Sequence, residues 1–316
     1  MGDEISIGIA IGKVILIGEH AVVHGQPALA MPFPATKVKT AIYRKEGSLT
    51  LDCFFYNGFF SEVPDRLLGL TTIIRDIVNS FDEKLEDFRI RIESTIPPER
   101  GMGSSAAVAV ATIRALYDFF RQPLTKEDLF KWANISEKIV HGNPSGIDAA
   151  TVIGEEPIYY IKGKSFIPFP FKLDAYLIVA DTGELGKTQA AVNDVRKLID
   201  LNPQKGRSLI EQLGFLTRNA KDAIESKDIV KLGQIMSKAH LILDKLGVSN
   251  DKLNHLVSVA MRNEALGAKL TGGGRGGCMI ALAATKDEAI KLSNKLILNG
   301  AENTWISNMG VDGNEE

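Results

Sequence analysis

The sequence is poor in cysteine, in long apolar runs and in clustered positive charge. Its two cysteines among 316 residues, Cys53 and Cys278, have a spacing that fits neither a disulfide framework nor a metal site, so we predict reduced thiols in the cytosol. No run approaches the roughly 18 apolar residues that a transmembrane helix needs. Residues 1–4 are acidic, unlike the start of a secretory signal. We therefore predict a cytoplasmic protein with no membrane partner.

Charge is balanced along the chain. The 37 Lys and Arg residues against 39 Asp and Glu residues give a formal net charge of -2. Because there is no Lys/Arg-rich tract and no basic stripe, we predict that the protein has no nucleic-acid partner. Hydrophobic residues make up 45% and charged residues 24%, which is typical of a globular chain with a sizeable core.

The hydrophobic pattern predicts strands early in the chain and helices later. Alternation of apolar and polar residues predicts strands, and apolar residues at helical spacing predict helices. From these patterns we predict strands at 5–17 and 87–95, a hairpin at 36–56, helices at 64–80, 106–121 and 125–141, strands at 157–162 and 175–180, four helical blocks over 187–265 broken at Gly206, Asp228 and Gly247, and a tail with strands 267–271, 278–284 and 302–307 around helix 286–298.

This order of elements favours an α+β fold in two lobes. The first half is mixed with strands in front, and the second half has helices followed by a β-loop-β-α-β tail. The segment Pro168-Phe169-Pro170 is a plausible seam. We predict one domain over residues 1–172 and a second over residues 173–316.

A glycine-rich loop lies at residues 97–107, Pro-Pro-Glu-Arg-Gly-Met-Gly-Ser-Ser-Ala-Ala, before a predicted helix. Glycines allow a close approach of backbone to ligand, and Ser104 and Ser105 are suited to capping the helix. A helix N-terminus presents free N–H groups and partial positive charge, so phosphate is the favoured ligand. The alternative is a serine-capped turn that only stabilises the fold.

Two segments imitate other nucleotide-binding motifs. Residues 101–106 fit G-x-G-x-x-A, but a double proline separates them from the preceding strand, and a helix end lies where a Rossmann unit needs its acidic residue. Residues 183–188 resemble a P-loop, but only two residues separate the glycines where four are required. Neither interpretation holds.

Three further segments carry candidate chemistry. In residues 137–148, Glu137 ends a helix, and Asp148 follows the helix breakers Gly-Asn-Pro-Ser-Gly among small apolar residues. One carboxylate could hold Mg²⁺ and the other could meet a hydroxyl, or both could be ordinary helix residues. Lys13 borders an apolar strand that Glu19 and His20 follow; it could stabilise a buried Asp or simply face solvent.

The last of these segments is rich in glycine. Five of the six residues 272–277 are glycine, and Arg275 interrupts them. Five glycines exceed what a hairpin turn needs, so we predict close approach of this backbone to a ligand. A flexible turn is the alternative.

In order and spacing, the three Gly-containing blocks at 12–25, 97–107 and 265–277 resemble those of the GHMP kinases. Gly18-Glu19-His20-Ala21-Val22-Val23-His24-Gly25 and His141-Gly142-Asn143-Pro144-Ser145-Gly146-Ile147-Asp148 are similar to the branch that phosphorylates the 5-hydroxyl of mevalonate. The resemblance covers residues 8–307. It implies an N-terminal lobe like ribosomal protein S5 domain 2, a ferredoxin-like C-terminal lobe, and a cleft between them that holds the site.

The resemblance also implies a role for each matching residue. Mevalonate would be the small-molecule substrate, with ATP and Mg²⁺ required, and a homodimer is expected. Asp148 would be the catalytic base with Lys13 as its partner, and Ser105 and Glu137 would bind the metal. Substrate would be bound by Glu19, His20, Thr188, Gly272 and Gly273. The phosphates of ATP would be held by Pro98, Arg100, Gly101, Met102, Gly103, Ser104, Ser105 and Ala106.

Three other functions stay open at this point. Another GHMP kinase could act on a phosphorylated mevalonate or a sugar. A diphosphomevalonate decarboxylase would release CO₂. A non-catalytic sensor on the same fold would be expected to lose catalytic residues, whereas Lys13, Ser105, Glu137 and Asp148 are all present. Arg275 receives no role from the resemblance.

Overall fold

A computed structural model describes residues 5–142, 144–164 and 166–310. The acidic residues 1–4 and Asn143 of the motif at 141–148 lie outside the described residues. The chain divides into two compact units: the first comprises the chain up to residue 12 with 36–97 and 103–155, and the second comprises 13–35, 98–102 and the chain from 156 onward. These units do not follow the division into residues 1–172 and 173–316, which stays a prediction about the lobes.

Two long strands belong to both units, because β1 (Ile5–Ile17) changes unit at residue 13 and β2 (Pro27–Ser48) at residue 36. Strand β1 confirms the predicted strand at 5–17 and pairs with β2. The 3₁₀ turn Ala21–His24 lies between them.

The first unit contains a sheet with the strand order β4-β3-β5-β2. Its strands are β3 (Thr50–Cys53), β4 (Tyr56–Phe59), β5 (Glu86–Ser94) and the second part of β2. Strand β5 runs antiparallel to β2, with Val38 opposite Ser94, and parallel to β3. The predicted hairpin at 36–56 is wrong. The hairpin is β3–β4, and β2 pairs with β5 instead of with its successor in the sequence.

The α-helices in the described part of the first unit are α1 (Leu68–Ser80), α2 (Ser104–Phe119), α3 (Lys126–His141) and α4 (Ile147–Gly154). The first three pack against one another, and α4 packs on α2 and α3. A Cβ placed on Gly8 would lie 1.9 Å from the carbonyl oxygen of Ala111, so the backbone of β1 lies directly against α2. This packing fixes the helices whose ends carry Ser105, Glu137 and Asp148.

The second unit contains a four-stranded antiparallel sheet with the order β11-β8-β10-β9. Its strands are β8 (Tyr176–Asp181), β9 (Gly267–Leu270), β10 (Cys278–Ala283) and β11 (Asn303–Asn308). The short strand β6 (Ile158–Ile161) pairs with residues 27–30 of β2 and with β7 (Ile167–Pro168). The predicted strands of the C-terminal tail are confirmed.

The α-helices of the second unit, within the residues described, are α5 (Thr188–Leu201), α6 (Pro203–Glu225), α7 (Ile229–Lys245), α8 (Asp251–Arg262) and α9 (Lys286–Leu298). The break predicted at Gly206 is wrong, since α6 begins at Pro203 with Asn202 as its N-cap. Gly206 lies inside this helix. A Cβ there would lie 2.8 Å from the Cα of Ile199 on α5. Its glycine serves the close packing of α5 and α6.

Helix α7 packs closely on β9 through two glycines. A Cβ on Gly267 would lie 1.9 Å from the carbonyl oxygen of Gly233, and a Cβ on Gly233 would lie 2.3 Å from that of Leu266. Side chains at either position would push helix and strand apart, and β9 leads directly into the loop at 271–277. Among the described residues no helix is long and apolar enough to cross a membrane.

Candidate active site

A buried ion pair joins the end of β1 to β9 within the second unit. Lys269 is fully buried in a strand whose four residues are all buried. Its ammonium donates to Oε1 of Glu19 and, at 2.6 Å, to the carbonyl oxygen of Leu270. Burial raises the pKa of the Glu19 carboxyl and lowers that of the Lys269 ammonium, and each partner's opposite charge counteracts the effect.

The second carboxylate oxygen of Glu19 is a buried acceptor. Oε2 is buried and has no hydrogen-bond partner within residues 5–142, 144–164 and 166–310. A buried acceptor of this kind costs free energy unless a ligand or water satisfies it. Glu19 can therefore accept a hydrogen bond from a substrate hydroxyl.

His20 contacts the loop at 271–277, which we call the glycine loop. Its Nε2 lies 2.9 Å from the carbonyl oxygen of Gly273, and a carbonyl only accepts, so Nε2 carries a hydrogen and donates. Burial lowers the pKa of His20 to about 4, so the ring is neutral at pH 7. Its Nδ1 then remains an acceptor for a polar ligand.

Thr188 meets the same glycine from α5. A Cβ on Gly273 would lie 2.1 Å from Oγ1 of Thr188, so only glycine allows this approach. The structure thus brings together Glu19, His20, Thr188 and Gly273, four of the residues predicted to bind substrate. The fifth, Gly272, has a left-handed backbone with φ of 78° and contacts Gly101.

The segment at 98–102 is held between β1 and the glycine loop. The Lys13 ammonium donates to the carbonyl oxygen of Gly101 at 3.1 Å, and the Lys13 backbone N–H donates to that of Met102 at 3.0 Å. A Cβ on Gly101 would lie 3.1 Å from the carbonyl oxygen of Thr271. Lys13 is 1% exposed, so the alternative in which it faces solvent is wrong.

Arg100 ties the same segment to β8. Its Nε donates to Oδ1 of Asp181 at 2.8 Å, and its Nη2 donates to the carbonyl oxygen of Gly183 at 3.0 Å. Burial raises the pKa of the Asp181 carboxyl, while a hydrogen bond from Gly183 and the charge of Arg100 counteract it. The predicted contacts of Pro98, Arg100, Gly101 and Met102 with ATP stay predictions.

In the first unit, the glycine-rich loop continues into the N-terminus of α2. Gly103, with φ of 73°, occupies the N-cap position, and Ser104 and Ser105 are the first two residues of the helix. The expectation that the serines cap the helix is therefore wrong. The glycine provides the left-handed turn, and the N–H groups of the first turn have no acceptor within the helix.

Two carboxylates lie on neighbouring helices of the first unit. Glu137 is 3% exposed on α3, with Oε2 3.7 Å from Nε2 of His141. Asp148 is half-buried in the first turn of α4, after Gly146 at the N-cap with φ of 84°. A negative charge in this position interacts favourably with the helix dipole. Helix α4 was not predicted as an element, because glycine and proline dominate the sequence before it.

The donor groups of the first unit suit Mg²⁺. Among the described residues no group of three or more His, Cys, Asp or Glu side chains forms a closed metal site. Mg²⁺ is commonly held by one or two protein oxygens, with water and substrate phosphate completing its coordination. A buried carboxylate at Glu137 and a hydroxyl at Ser105, on helices that pack together, match that requirement.

Comparison with known proteins identifies the family of this chain. The family described as GHMP kinases N terminal domain matches residues 71–155, and that described as GHMP kinases C terminal matches residues 220–302. A mevalonate kinase of Pyrococcus horikoshii is 34% identical over 305 residues, which are 90% of each chain.

Solved structures agree as well. The mevalonate kinase of L. major, in complex with R-mevalonate, has a TM-score of 0.82 at 27% identity and covers 98% of this chain and 97% of its own. The enzyme of Staphylococcus aureus MRSA252 has a TM-score of 0.75 at 37% identity, covering 97% and 99%.

The chain belongs to the mevalonate kinases of the GHMP kinase family. The predicted α+β, two-lobed GHMP fold and the predicted kinase class, an enzyme that acts on a hydroxyl group with ATP as phosphate donor, are confirmed. The interpretation as a non-catalytic sensor is not supported.

Four residues that are buried or paired in the second unit, namely Lys269, His240, Asp194 and Arg275, received no role in the sequence analysis. Lys269 lies in an apolar strand. Because a lysine in a short strand usually faces solvent, nothing in the local sequence indicated that it is buried. His240 and Asp194 lie on helices without any motif. Arg275 was noticed, but nothing in the sequence indicated its partners.

Two buried histidines of the second unit, His20 and His240, predict a loss of stability in acid. His240 accepts a hydrogen bond at Nδ1 from the backbone N–H of Leu270, and its Nε2 lies 3.1 Å from Oδ1 of Asn254. The neutral ring fits both contacts. Burial lowers the pKa of His240 to about 4, as it does for His20.

The unfolded chain protonates these rings near their ordinary pKa of about 6.5, so below that pH it binds more protons than the folded chain. The stabilisation is complete above pH 6.5 and is lost as the pH falls towards 4, by up to about 3 kcal/mol for each histidine. We expect urea unfolding at pH 7.5, 5.5 and 4.5 to show a smaller acid loss for His240→Gln than for wild type. The exposed His255 supplies the control His255→Gln, and an equal loss in all three proteins would contradict the assignment.

Proposed function

We propose that this chain transfers the γ-phosphate of ATP to the 5-hydroxyl of (R)-mevalonate, giving 5-phosphomevalonate for isoprenoid biosynthesis. The observation that carries the proposal is the group in the second unit in which His20 and Thr188 contact the glycine loop and Glu19, next to His20, pairs with Lys269 on the strand before that loop. Oε2 of Glu19 and Nδ1 of neutral His20 can accept hydrogen bonds. They suit a substrate with several hydroxyl groups.

The names of the relatives support the same substrate. Curated proteins 34% and 33% identical to this chain are named mevalonate kinase, and the L. major structure holds R-mevalonate. A phosphomevalonate kinase of Streptococcus pneumoniae shares only 20% identity, so its likeness concerns the fold alone.

In the proposed mechanism the protein mainly positions the reactants and neutralises charge. Phosphoryl transfer passes through a loose transition state in which the attacking and leaving oxygens are roughly in line. The backbone of 98–103 and the first turn of α2, with Ser104, Ser105 and Ala106, would hold the phosphates of ATP through N–H groups and the helix dipole.

Asp148 would accept the proton of the attacking hydroxyl. The carboxylate would orient the hydroxyl before it takes the proton. Lys13 is proposed as the partner of Asp148. Ser105 and Glu137 would hold Mg²⁺, which when bound supplies positive charge to the phosphate oxygens.

Two of the sequence expectations stay predictions. The chain is proposed to act as a homodimer, and its location is proposed to be the cytoplasm.

The proposed substrate predicts a clear preference in an assay of ADP release. Purified enzyme with ATP and Mg²⁺ is given mevalonate, phosphomevalonate, galactose or homoserine in turn. We expect kcat/KM for mevalonate to exceed that for each other compound by at least about 100-fold, since a site built for a given set of polar groups rejects compounds that leave them unpaired. Faster turnover of phosphomevalonate, or CO₂ release from diphosphomevalonate, would contradict the proposal.

The proposed base predicts a specific loss in Asp148→Asn. Because the amide cannot accept the hydroxyl proton, kcat is expected to fall by about 10²–10⁴-fold, while binding of a non-hydrolysable ATP analogue, measured by calorimetry, stays within about twofold of wild type. The control is Asp118→Asn, an exposed residue on α2, which is expected to turn over normally. Near-normal turnover of Asp148→Asn would remove Asp148 from the mechanism.

A further inference from the structure

Arg275 occupies a backbone position that favours glycine. Its φ is 54°, in the left-handed region, where a residue with a Cβ is conformationally strained. The glycines on either side are required by close packing: a Cβ on Gly274 would lie 2.0 Å from the carbonyl oxygen of Val248, and one on Gly276 would lie 2.4 Å from that of Leu185. The strained backbone at Arg275 therefore indicates that its side chain makes contacts that a glycine could not make.

The side chain of Arg275 joins the glycine loop to two other parts of the second unit. Its Nη1 donates to Oδ2 of Asp194 on α5 at 2.6 Å, and its Nε donates to the carbonyl oxygen of Gly247 at 2.9 Å. Its backbone N–H donates to the carbonyl oxygen of Val248 at 2.8 Å. Arg275 therefore connects the loop with α5 and with the segment between α7 and α8.

The connection to α5 lies beside residues of the substrate group. Helix α5 begins at Thr188, which contacts Gly273, and the backbone N–H of Lys187 donates to the carbonyl oxygen of Gly274 at 3.2 Å. Gly273 also carries the carbonyl that accepts the hydrogen bond of His20. A displacement of the loop relative to α5 would therefore disturb the contacts of Gly273 with both Thr188 and His20.

The Asp194 carboxylate has a second cation in reach, which provides a comparison. Lys197 lies one helical turn further along α5, with Nζ 3.3 Å from Oδ1 of Asp194. The pKa of the Asp194 carboxyl is lowered most by the hydrogen bond from Arg275 and next by the hydrogen bond from Lys197. Only the arginine belongs to the glycine loop, so the two cations share an anion but differ in what they could position.

We propose that Arg275 is a positioning residue whose ion pair with Asp194 holds the glycine loop against α5, and so keeps Gly273, His20 and Thr188 in the arrangement that binds mevalonate. The inference rests on the proposed function, because it assigns mevalonate to this group. An exposed ion pair ordinarily contributes little to stability, whereas this one is assigned a role in substrate binding.

The test is a set of variants assayed for kcat and for KM of mevalonate and ATP. Arg275→Gly removes the ion pair and also the backbone strain, so folding is expected to survive. We expect Arg275→Gly and Asp194→Asn each to raise KM for mevalonate about 5–20-fold, with kcat and KM for ATP within about threefold, because misplaced binding groups weaken substrate binding. The combined variant is expected to be no worse than either single one, since both remove the same interaction.

Two further variants separate positioning from general structural damage. Lys197→Ala removes the other cation of Asp194 and is expected to keep wild-type KM. Arg275→Asp alone is expected to lose affinity for mevalonate. The double variant Arg275→Asp, Asp194→Arg, which exchanges the two charges, is expected to recover part of that loss. Thermal unfolding of every variant accompanies the assays.

Wild-type KM for mevalonate in Arg275→Gly, or multiplicative effects in the combined variant, would overturn the proposal. An increase in KM for Lys197→Ala equal to that for Asp194→Asn would also overturn it. Failure of the proposed function gives a different result, because the wild-type enzyme itself would then release no ADP with mevalonate.

Discussion

The ammonium of Lys269 has no access to solvent, and the carboxylate of Glu19 neutralises it. A buried charge that lacks a partner costs several kcal/mol, so Lys269 can occupy β9 only if Glu19 comes to it. Glu19 follows β1, and 250 residues separate the partners in sequence. This requirement brings the Gly-Glu-His motif near the chain's start to the Lys-Leu-Thr-Gly motif near its end.

The other contacts of the glycine loop are consistent with this attachment. Once Glu19 is fixed on β9, the next residue, His20, donates to Gly273, two residues after Thr271. Oγ1 of Thr271 donates to the carbonyl oxygen of Ile15 at 2.9 Å. A segment with five glycines would be disordered if its backbone had few partners. Instead the loop is bonded to β1, to α5 and to the segment after α7, so it can present a defined backbone to a substrate.

Much of the fold could be predicted from the sequence, because its elements have strong local signals. Strands β1 and β5 and helix α3 follow hydrophobic periodicity. The failures occurred where tertiary packing overrides a local signal. Gly206 suggested a helix break, yet it is a contact point for Ile199. The segment at 36–56 suggested a hairpin, yet β2 takes β5 as its neighbour.

The candidate site was predicted in a different way, from motif resemblance. That resemblance singled out Glu19, His20 and Thr188, and the structure places His20 and Thr188 at the glycine loop and Glu19 on Lys269 of the preceding strand. It assigned no role to Lys269 or Asp194, because a charged residue in a strand or on a helix has the same local pattern whether it is buried, paired or exposed. Their roles depend on partners distant in sequence, which only the folded chain defines.

The coupling between Lys269 and Glu19 is the most direct test of this account. Urea unfolding of Lys269→Met, Glu19→Gln and the double variant gives the coupling free energy of the pair. Each single change is expected to cost about 3–5 kcal/mol, and the double variant clearly less than the sum, because it leaves no uncompensated charge. Lys221→Met with Glu225→Gln, a more exposed pair on α6, is the control and is expected to couple by less than about 1 kcal/mol. Additive losses at Lys269 and Glu19, or single losses as small as those of the control, would contradict the account.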